Sequence, residues 1–203
     1  MERVITYIDG FNLYFGLRES GFRRYLWLNL VQLSTRLVRP SQKLVYAKYF
    51  TARIANPPDK QRRQAIYLEA LSTLSDLQIF YGKYQLNQRK CRSCGYTDRV
   101  PSEKMTDVNI AVELLSDAFQ DYFDTALLIS ADSDLCGPIE AVLRLFPTKR
   151  VVVAFPPSRN SAELTRVASA YLRIGRAALA GSQFSDEVVK PDGYILRRPT
   201  SWR

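Results

Sequence analysis

Val4-Ile5-Thr6-Tyr7-Ile8-Asp9-Gly10-Phe11-Asn12 sets an apolar, β-branched run directly against an aspartate, and Ala126-Leu127-Leu128-Ile129-Ser130-Ala131-Asp132-Ser133-Asp134 repeats the arrangement later in the chain. Short apolar runs bounded by turn formers read as buried strands of a parallel sheet. In such sheets the ligand crevice lies beyond the carboxyl ends of the strands, so Asp9, Asp132 and Asp134 are expected to face one place. Asp107 heads an apolar-periodic segment carrying Ile110, Ala111, Leu114 and Leu115, and brings a fourth carboxylate from a helix start. Clustered carboxylates repel unless they bind a cation. Oxygen-rich sites of this kind suit Mg²⁺ or Mn²⁺, ions that serve phosphoryl and phosphodiester chemistry.

Outward from these two runs, strand and helix patterns alternate, which is the signature of βαβ units in an α/β fold with a mainly parallel sheet. Leu13 to Arg18 opens a helix, and Asn29 caps another carrying Leu30, Leu33, Leu37 and Val38, which stops before Pro40. A strand over 44–50 is followed by the turn signal Asn56-Pro57-Pro58 and a helix over 59–74. Residues 77–84 read as strand, 87–103 as a polar, basic interruption, and Thr106 or Asp107 as a helix start. A strand over 125–130, a helix over 137–146 behind Gly137-Pro138, a strand over 150–155 and a helix from Ser161 complete the series. From Gln183 onward the sequence predicts an extended tail with a terminal basic and aromatic cluster.

The chain has 203 residues, 46% of them hydrophobic, enough to bury a full core, and it contains no histidine. That absence excludes Ser-His-Asp and Cys-His catalysis, His-ligated catalytic zinc, and RNA cleavage by paired histidines. A formal charge of +9 calls for an anionic partner. Apolar runs such as 126–131 and 151–155 are far shorter than the roughly 20 residues of a membrane span. Asp9 and Asn12 interrupt the N-terminal apolar stretch, so no signal peptide is expected. Three cysteines fit a reducing cytoplasm better than a disulfide scaffold.

Tyr7-Ile8-Asp9-Gly10-Phe11-Asn12-Leu13, Glu103-Lys104-Met105-Thr106-Asp107-Val108-Asn109-Ile110-Ala111 and Leu128-Ile129-Ser130-Ala131-Asp132-Ser133-Asp134-Leu135 together resemble the NYN domain family, relatives of the PIN-domain nucleases. The resemblance covers roughly residues 1–175, with an insertion at about 83–103 and a C-terminal extension over 176–203. It implies a PIN-like three-layer α/β/α fold and metal-dependent cleavage of RNA, with Asp9, Asn12, Asp107, Asp132 and Asp134 at the acidic site. Glu113 falls where many relatives carry another acid, although its spacing puts it about 120° around a helix from Asp107.

A phosphodiester then assigns the roles. Ions held by Asp9, Asp107, Asp132 and Asp134 would polarise the phosphate and activate a water. Asn12 can fix Asp9 or a phosphate without adding charge, and Lys104 can offset carboxylate repulsion or touch phosphate. Ser130 and Ser161 are expected to hydrogen-bond substrate oxygens, Ser161 as a helix cap beside an anion site. Taken singly, each acid could be an ordinary turn or helix-start residue; the joint pattern is what points to a site.

Cys91-Arg92-Ser93-Cys94-Gly95 has the spacing of half a structural zinc site. Four options stay open: a zinc shared by two chains as a homodimer, an oxygen ligand such as Asp98, a metal-free relic, or a redox pair. Cys136 is expected to be a small buried apolar residue. Lys83, Arg89, Lys90, Arg92 and Arg99, interleaved with Tyr81, Tyr84 and Tyr96, could hold single-stranded RNA by phosphate contact and stacking. Lys60, Arg62 and Arg63 read as ordinary solvated helix charge. Two rival classes remain in view. One is an RNA-binding adaptor that keeps the fold without activity. The other is a Toprim-like or haloacid-phosphatase-like phosphoester enzyme, against which stands the first strand's ending in Asp9-Gly10-Phe11 rather than in Asp-x-Asp or a glutamate.

Overall fold

The computed structural model describes residues 1–90 and 94–202, and within 84–90 and 98–104 the backbone alone. In chain order the elements are β1 (Glu2–Asp9), α1 (Gly10–Glu19), α2 (Leu30–Leu37), β2 (Gln42–Thr51), α3 (Pro58–Leu71), β3 (Leu77–Tyr81), β4 (Lys83–Lys90), β5 (Thr97–Lys104) and α4 (Thr106–Phe119). There follow β6 (Thr125–Ile129), α5 (Cys136–Leu145), β7 (Arg150–Phe155), α6 (Ala162–Val167), β8 (Ala170–Arg173), α7 (Arg176–Ala180), β9 (Glu187–Val189) and β10 (Ile195–Arg197). Six strands form one parallel sheet in the order β3-β2-β1-β6-β7-β8. Strands before and after β1 and β6 run off in opposite directions, so the topological switch point lies between these two strands.

Parity along the strands decides which face each residue serves. Val4 and Ile8 of β1 and Leu127 and Ile129 of β6 join one core with Leu13 and Leu17 of α1, Leu30 and Leu33 of α2, Leu68 of α3 and Leu179 of α7. Ile5 and Tyr7, with Ala126 and Leu128, join the other core with Ile110 and Leu114 of α4, Ile139 of α5 and Leu164 of α6. The result is the three-layer arrangement that the resemblance implies, built on the parallel βαβ units that the alternating pattern predicts. Each fully buried leucine contributes roughly 1.5–3 kcal/mol of apolar burial. Two residues beyond Tyr7, Asp9 falls on the α4 side by the same parity. Gly16 of α1 lies so close to the loop after β7 that a Cβ there would stand 2.8 Å from Pro156 Cβ and from the Pro157 carbonyl oxygen, which seats α1 firmly against that loop.

Caps explain several helix starts. The Asn29 side chain accepts from the Gln32 N–H at 2.9 Å, and Ser161 Oγ accepts from the Leu164 N–H at 3.2 Å. The helix after Pro57-Pro58 ends at Leu71, three residues sooner than the sequence predicts, and the strand expected over 77–84 divides at Gly82 into β3 and β4. The basic interruption is an antiparallel hairpin, β4 with β5, outside the central sheet. The extended tail is a correction. Trp27 donates its indole N–H to the Ser185 carbonyl at 2.8 Å, its ring meets those of Phe184 and Trp202 at 5.6 and 6.3 Å, and β9 pairs with β10. Isolated aromatics without a strand or helix period are what hid this packing. No helix among the described residues is long and apolar enough to cross a membrane.

Candidate active site

The carboxyl end of β1 and that of β6 are stitched together by side chains. Asp9 Oδ1 accepts from the Asn12 N–H at 3.0 Å, capping α1, and Asp9 Oδ2 accepts from the Ser130 hydroxyl at 2.8 Å. Ser130 Oγ in turn accepts from the Asp132 N–H at 3.0 Å, and the Asn12 side-chain oxygen accepts from the Ala131 N–H at 3.2 Å. Asp132 Oδ1 accepts from the Asp134 N–H at 3.0 Å and so caps the single helical turn over 133–135. One acid thus opens a helix at the end of β1, and another opens a turn at the end of β6.

Asp107 joins from the first turn of α4. The residue before that helix, Met105, has φ +79°, a left-handed conformation that is costly for a side-chain-bearing residue and turns the chain from β5 into α4. Burial raises the Asp107 carboxyl, and the charges of Asp9, Asp132 and Asp134 raise it further, to about 6. Burial also raises Asp9, 3% exposed, with Asp132 adding to the rise and hydrogen bonds from Asn12 and Ser130 holding it back. Asp107 therefore senses the charges of the other three aspartates, and Asp9 senses that of Asp132.

Ser130 was expected to bond substrate oxygens, and the contacts the structure gives it are within the carboxylate group. It is wholly buried, and its hydroxyl donates to Asp9 and accepts from the Asp132 N–H, so it orients carboxylates. Ser161 caps α6 and donates to Glu163 Oε2 at 3.0 Å. Glu113 is turned away from the acidic group and binds Lys48 Nζ at 2.6 Å. Cys91 and Arg92 lie outside the described residues, as do the side chains of Lys90 and Lys104. Cys94 is exposed and has no disulfide partner among the described residues. Cys136 is partly buried, with its thiol raised by burial.

Sequence reasoning missed a second charged group directly beneath the site. Lys48 Nζ lies 2.7 Å from Asp117 Oδ2 and 2.6 Å from Glu113 Oε2, and the Tyr7 hydroxyl donates to Asp117 Oδ2 at 2.6 Å. Lys48, Asp117 and Tyr7 are all buried. Burial and the Asp117 charge push the Tyr7 phenol well above its ordinary range, so it stays a donor. The signal was a lysine in the middle of an apolar strand, Leu44-Val45-Tyr46-Ala47-Lys48-Tyr49-Phe50, where a cation needs acids from the covering helix.

Among the described residues, no three His, Cys, Asp or Glu stand in a ready liganding arrangement. The donor chemistry nevertheless fits a hard divalent cation: Asp107 is raised by burial and by the charges of the other three aspartates, and among the described residues no lysine or arginine is paired with any of the four.

Fold and acidic crevice together define a PIN-like α/β protein. The profile of the NYN domain matches residues 3–175, and the chain belongs to that family, whose members are generally nucleases. The 6-hydroxy-3-succinoylpyridine 3-monooxygenase HspA of Pseudomonas putida strain S16 is 28% identical over 239 residues, covering 98% of this chain and 75% of that protein. A crystal structure of a Vibrio parahaemolyticus protein of unknown function superposes with TM-score 0.56 at 21% identity, over 86% of this chain and 94% of that one, a likeness of fold.

Proposed function

We propose that the protein is a metal-dependent ribonuclease that hydrolyses phosphodiester bonds of single-stranded RNA. The observation that carries this is Asp107, raised to about 6 by burial and further by the charges of Asp9, Asp132 and Asp134, at the switch point of a NYN-family sheet. Asp107, Asp132 and Asp134 would hold Mg²⁺ or Mn²⁺ together with Asp9. When bound, such an ion supplies Lewis acidity toward the phosphate and a nucleophilic water at neutral pH.

The chain's own residues do the rest. Asn12 and Ser130 lock the Asp9 carboxylate in one orientation, so its remaining lone pairs are aimed without rearrangement. Ser130 also fixes the Asp132 backbone, which couples two carboxylates through one hydroxyl. The formal charge of +9 draws a polyanion to an acidic crevice that alone would repel it. Exposed Tyr81, with the Arg53 guanidinium 4.8 Å over its ring, and exposed Tyr96 and Lys83 line the hairpin side, where bases can stack and phosphates pair.

End-labelled single-stranded RNA resolved on a gel tests the proposal. Cleavage should need Mg²⁺ or Mn²⁺, stop with chelator, weaken with salt, leave 5′-phosphate and 3′-hydroxyl ends, and fall by orders of magnitude in Asp107→Asn. A 2′,3′-cyclic phosphate product, or cleavage indifferent to chelator, would overturn the mechanism. Binding of RNA without any cleavage would favour an adaptor.

A further inference from the structure

On the opposite face of the sheet from the carboxylates, the first turns of α1, the end of β2 and the length of α3 enclose a cavity of about 300 Å³. Its walls are largely aromatic, from Phe11, Tyr14, Tyr49 and Tyr67. Its mouth is basic, with Arg18, Lys60 and Arg63. None of these three has an acidic partner among the described residues, although elsewhere Arg3, Lys48, Arg159 and Lys190 are all paired. Thr51, only 2% exposed, also lines the cavity. Gly10, directly after Asp9, forms the wall nearest the acidic crevice.

We infer that this cavity takes one nucleoside monophosphate unit, the base between the aromatic rings and the phosphate on Arg18, Lys60 and Arg63. Flat apolar walls bury a planar heterocycle, and every base has a π-face to stack. Three unpaired cations at the mouth match a phosphate, with the guanidinium forks of Arg18 and Arg63 suited to its oxygens. Thr51 offers the polar edge that such pockets use to orient a ligand. A volume at the lower end of the ligand-pocket range admits one nucleotide and no second. The inference deepens the ribonuclease proposal and rests on it only for the strand that would deliver the nucleotide.

Trp202 also lines the cavity and is one of two tryptophans, so intrinsic fluorescence reports occupancy. The full chain is titrated with adenosine 5′-monophosphate, adenosine, inorganic phosphate and benzoate, without metal. The monophosphate should bind at least about tenfold more tightly than adenosine or phosphate, as expected when stacking and ion pairing act together. Arg63→Gln should weaken the monophosphate several-fold and leave adenosine unchanged. Tyr14→Ala should weaken both; circular dichroism melts confirm that each variant is folded.

No monophosphate binding, binding unmoved by both substitutions, or tighter binding of benzoate than of the monophosphate would overturn the inference. A short single-stranded oligoribonucleotide that displaces the monophosphate identifies the strand as the source; failure to displace it identifies a free nucleotide. Asp107→Asn should lose cleavage and keep monophosphate affinity. Monophosphate binding in a wild-type protein that cleaves nothing would sink the ribonuclease proposal alone, and cleavage without monophosphate binding would sink this inference alone.

Discussion

Replacing Asp107 by asparagine keeps the shape of the side chain and removes one charge from a crowded acidic crevice. In the metal-free protein this should stabilise the fold at neutral and alkaline pH. A carboxyl moved from 3.8 to about 6 carries a native-state penalty on its charged form of about 3 kcal/mol. Solvent screening at this half-buried group reduces the figure to on the order of 1 kcal/mol. Because the folded value is raised, the favourable contribution is complete below about pH 4 and is lost as pH climbs through about 6. Asp9 is shifted in the same direction but is present in both proteins, so the difference between them isolates Asp107. Calorimetric melts in chelator should therefore show Asp107→Asn about 2–4 °C above wild type at pH 8 and level with it near pH 4. Adding Mn²⁺ should reverse the order at pH 8, since wild type gains more from binding the ion. A variant no more stable than wild type at pH 8, or a difference that does not change with pH, would refute the placement of Asp107 among like charges.

Lys48→Met should cost about 3–5 kcal/mol, because it leaves Asp117 and Glu113 buried or half-buried without their cation, and Lys48→Met/Glu113→Gln should recover part of the loss in urea melts; an unaffected midpoint would show that the pair is not buried as described. Ser130→Ala should cost about 1–3 kcal/mol by orphaning Asp9 Oδ2 and the Asp132 N–H, and should raise the Asp9 carboxyl further, moving the acid limb of metal-dependent cleavage to higher pH. A pH–rate profile that keeps its acid limb in place would remove Ser130 from the support of Asp9.

The parts of the fold that were legible in sequence are those where one physical signal dominates. Val4–Ile8 and Ala126–Ile129 are buried on both faces, so they read as unbroken apolar runs. Asn29 and Ser161 announce their helices because a side-chain acceptor before an apolar period has few other uses. β8 was missed for the converse reason: Ala170-Tyr171-Leu172-Arg173 is a short edge strand with exposed positions, and four residues carry no period. In the site, carboxylates at strand exits could be read from topology alone, whereas the pairings inside the site could not. Ser130 and Ser161 look alike in sequence, yet one bridges Asp9 and Asp132 while the other faces Glu163, a difference set by contacts 121 and 2 residues away. Glu113 and Asp117 depended on knowing that Lys48 lies opposite α4, and the place of Lys60 and Arg63, without an acidic partner among the described residues, on knowing that α3 leans over a cavity.

Gly10 explains why the acidic crevice and the cavity can share one junction. A Cβ at this position would lie 2.6 Å from the Phe50 carbonyl oxygen and 2.8 Å from the Tyr49 ring, so only glycine lets α1 begin on the last residue of β1 while the neighbouring strand passes this close. With no connecting loop, Asp9 is at once the end of a strand, the cap of a helix and a member of the carboxylate group. Capping satisfies an N–H of the first helical turn and tethers the carboxylate, so burying that charge is partly offset by a bond the helix requires in any case. The same absent side chain lets Tyr49 close the inner wall of the cavity. A ligand there would lie against the first turn of α1, the helix that Asp9 caps from the other face of the sheet.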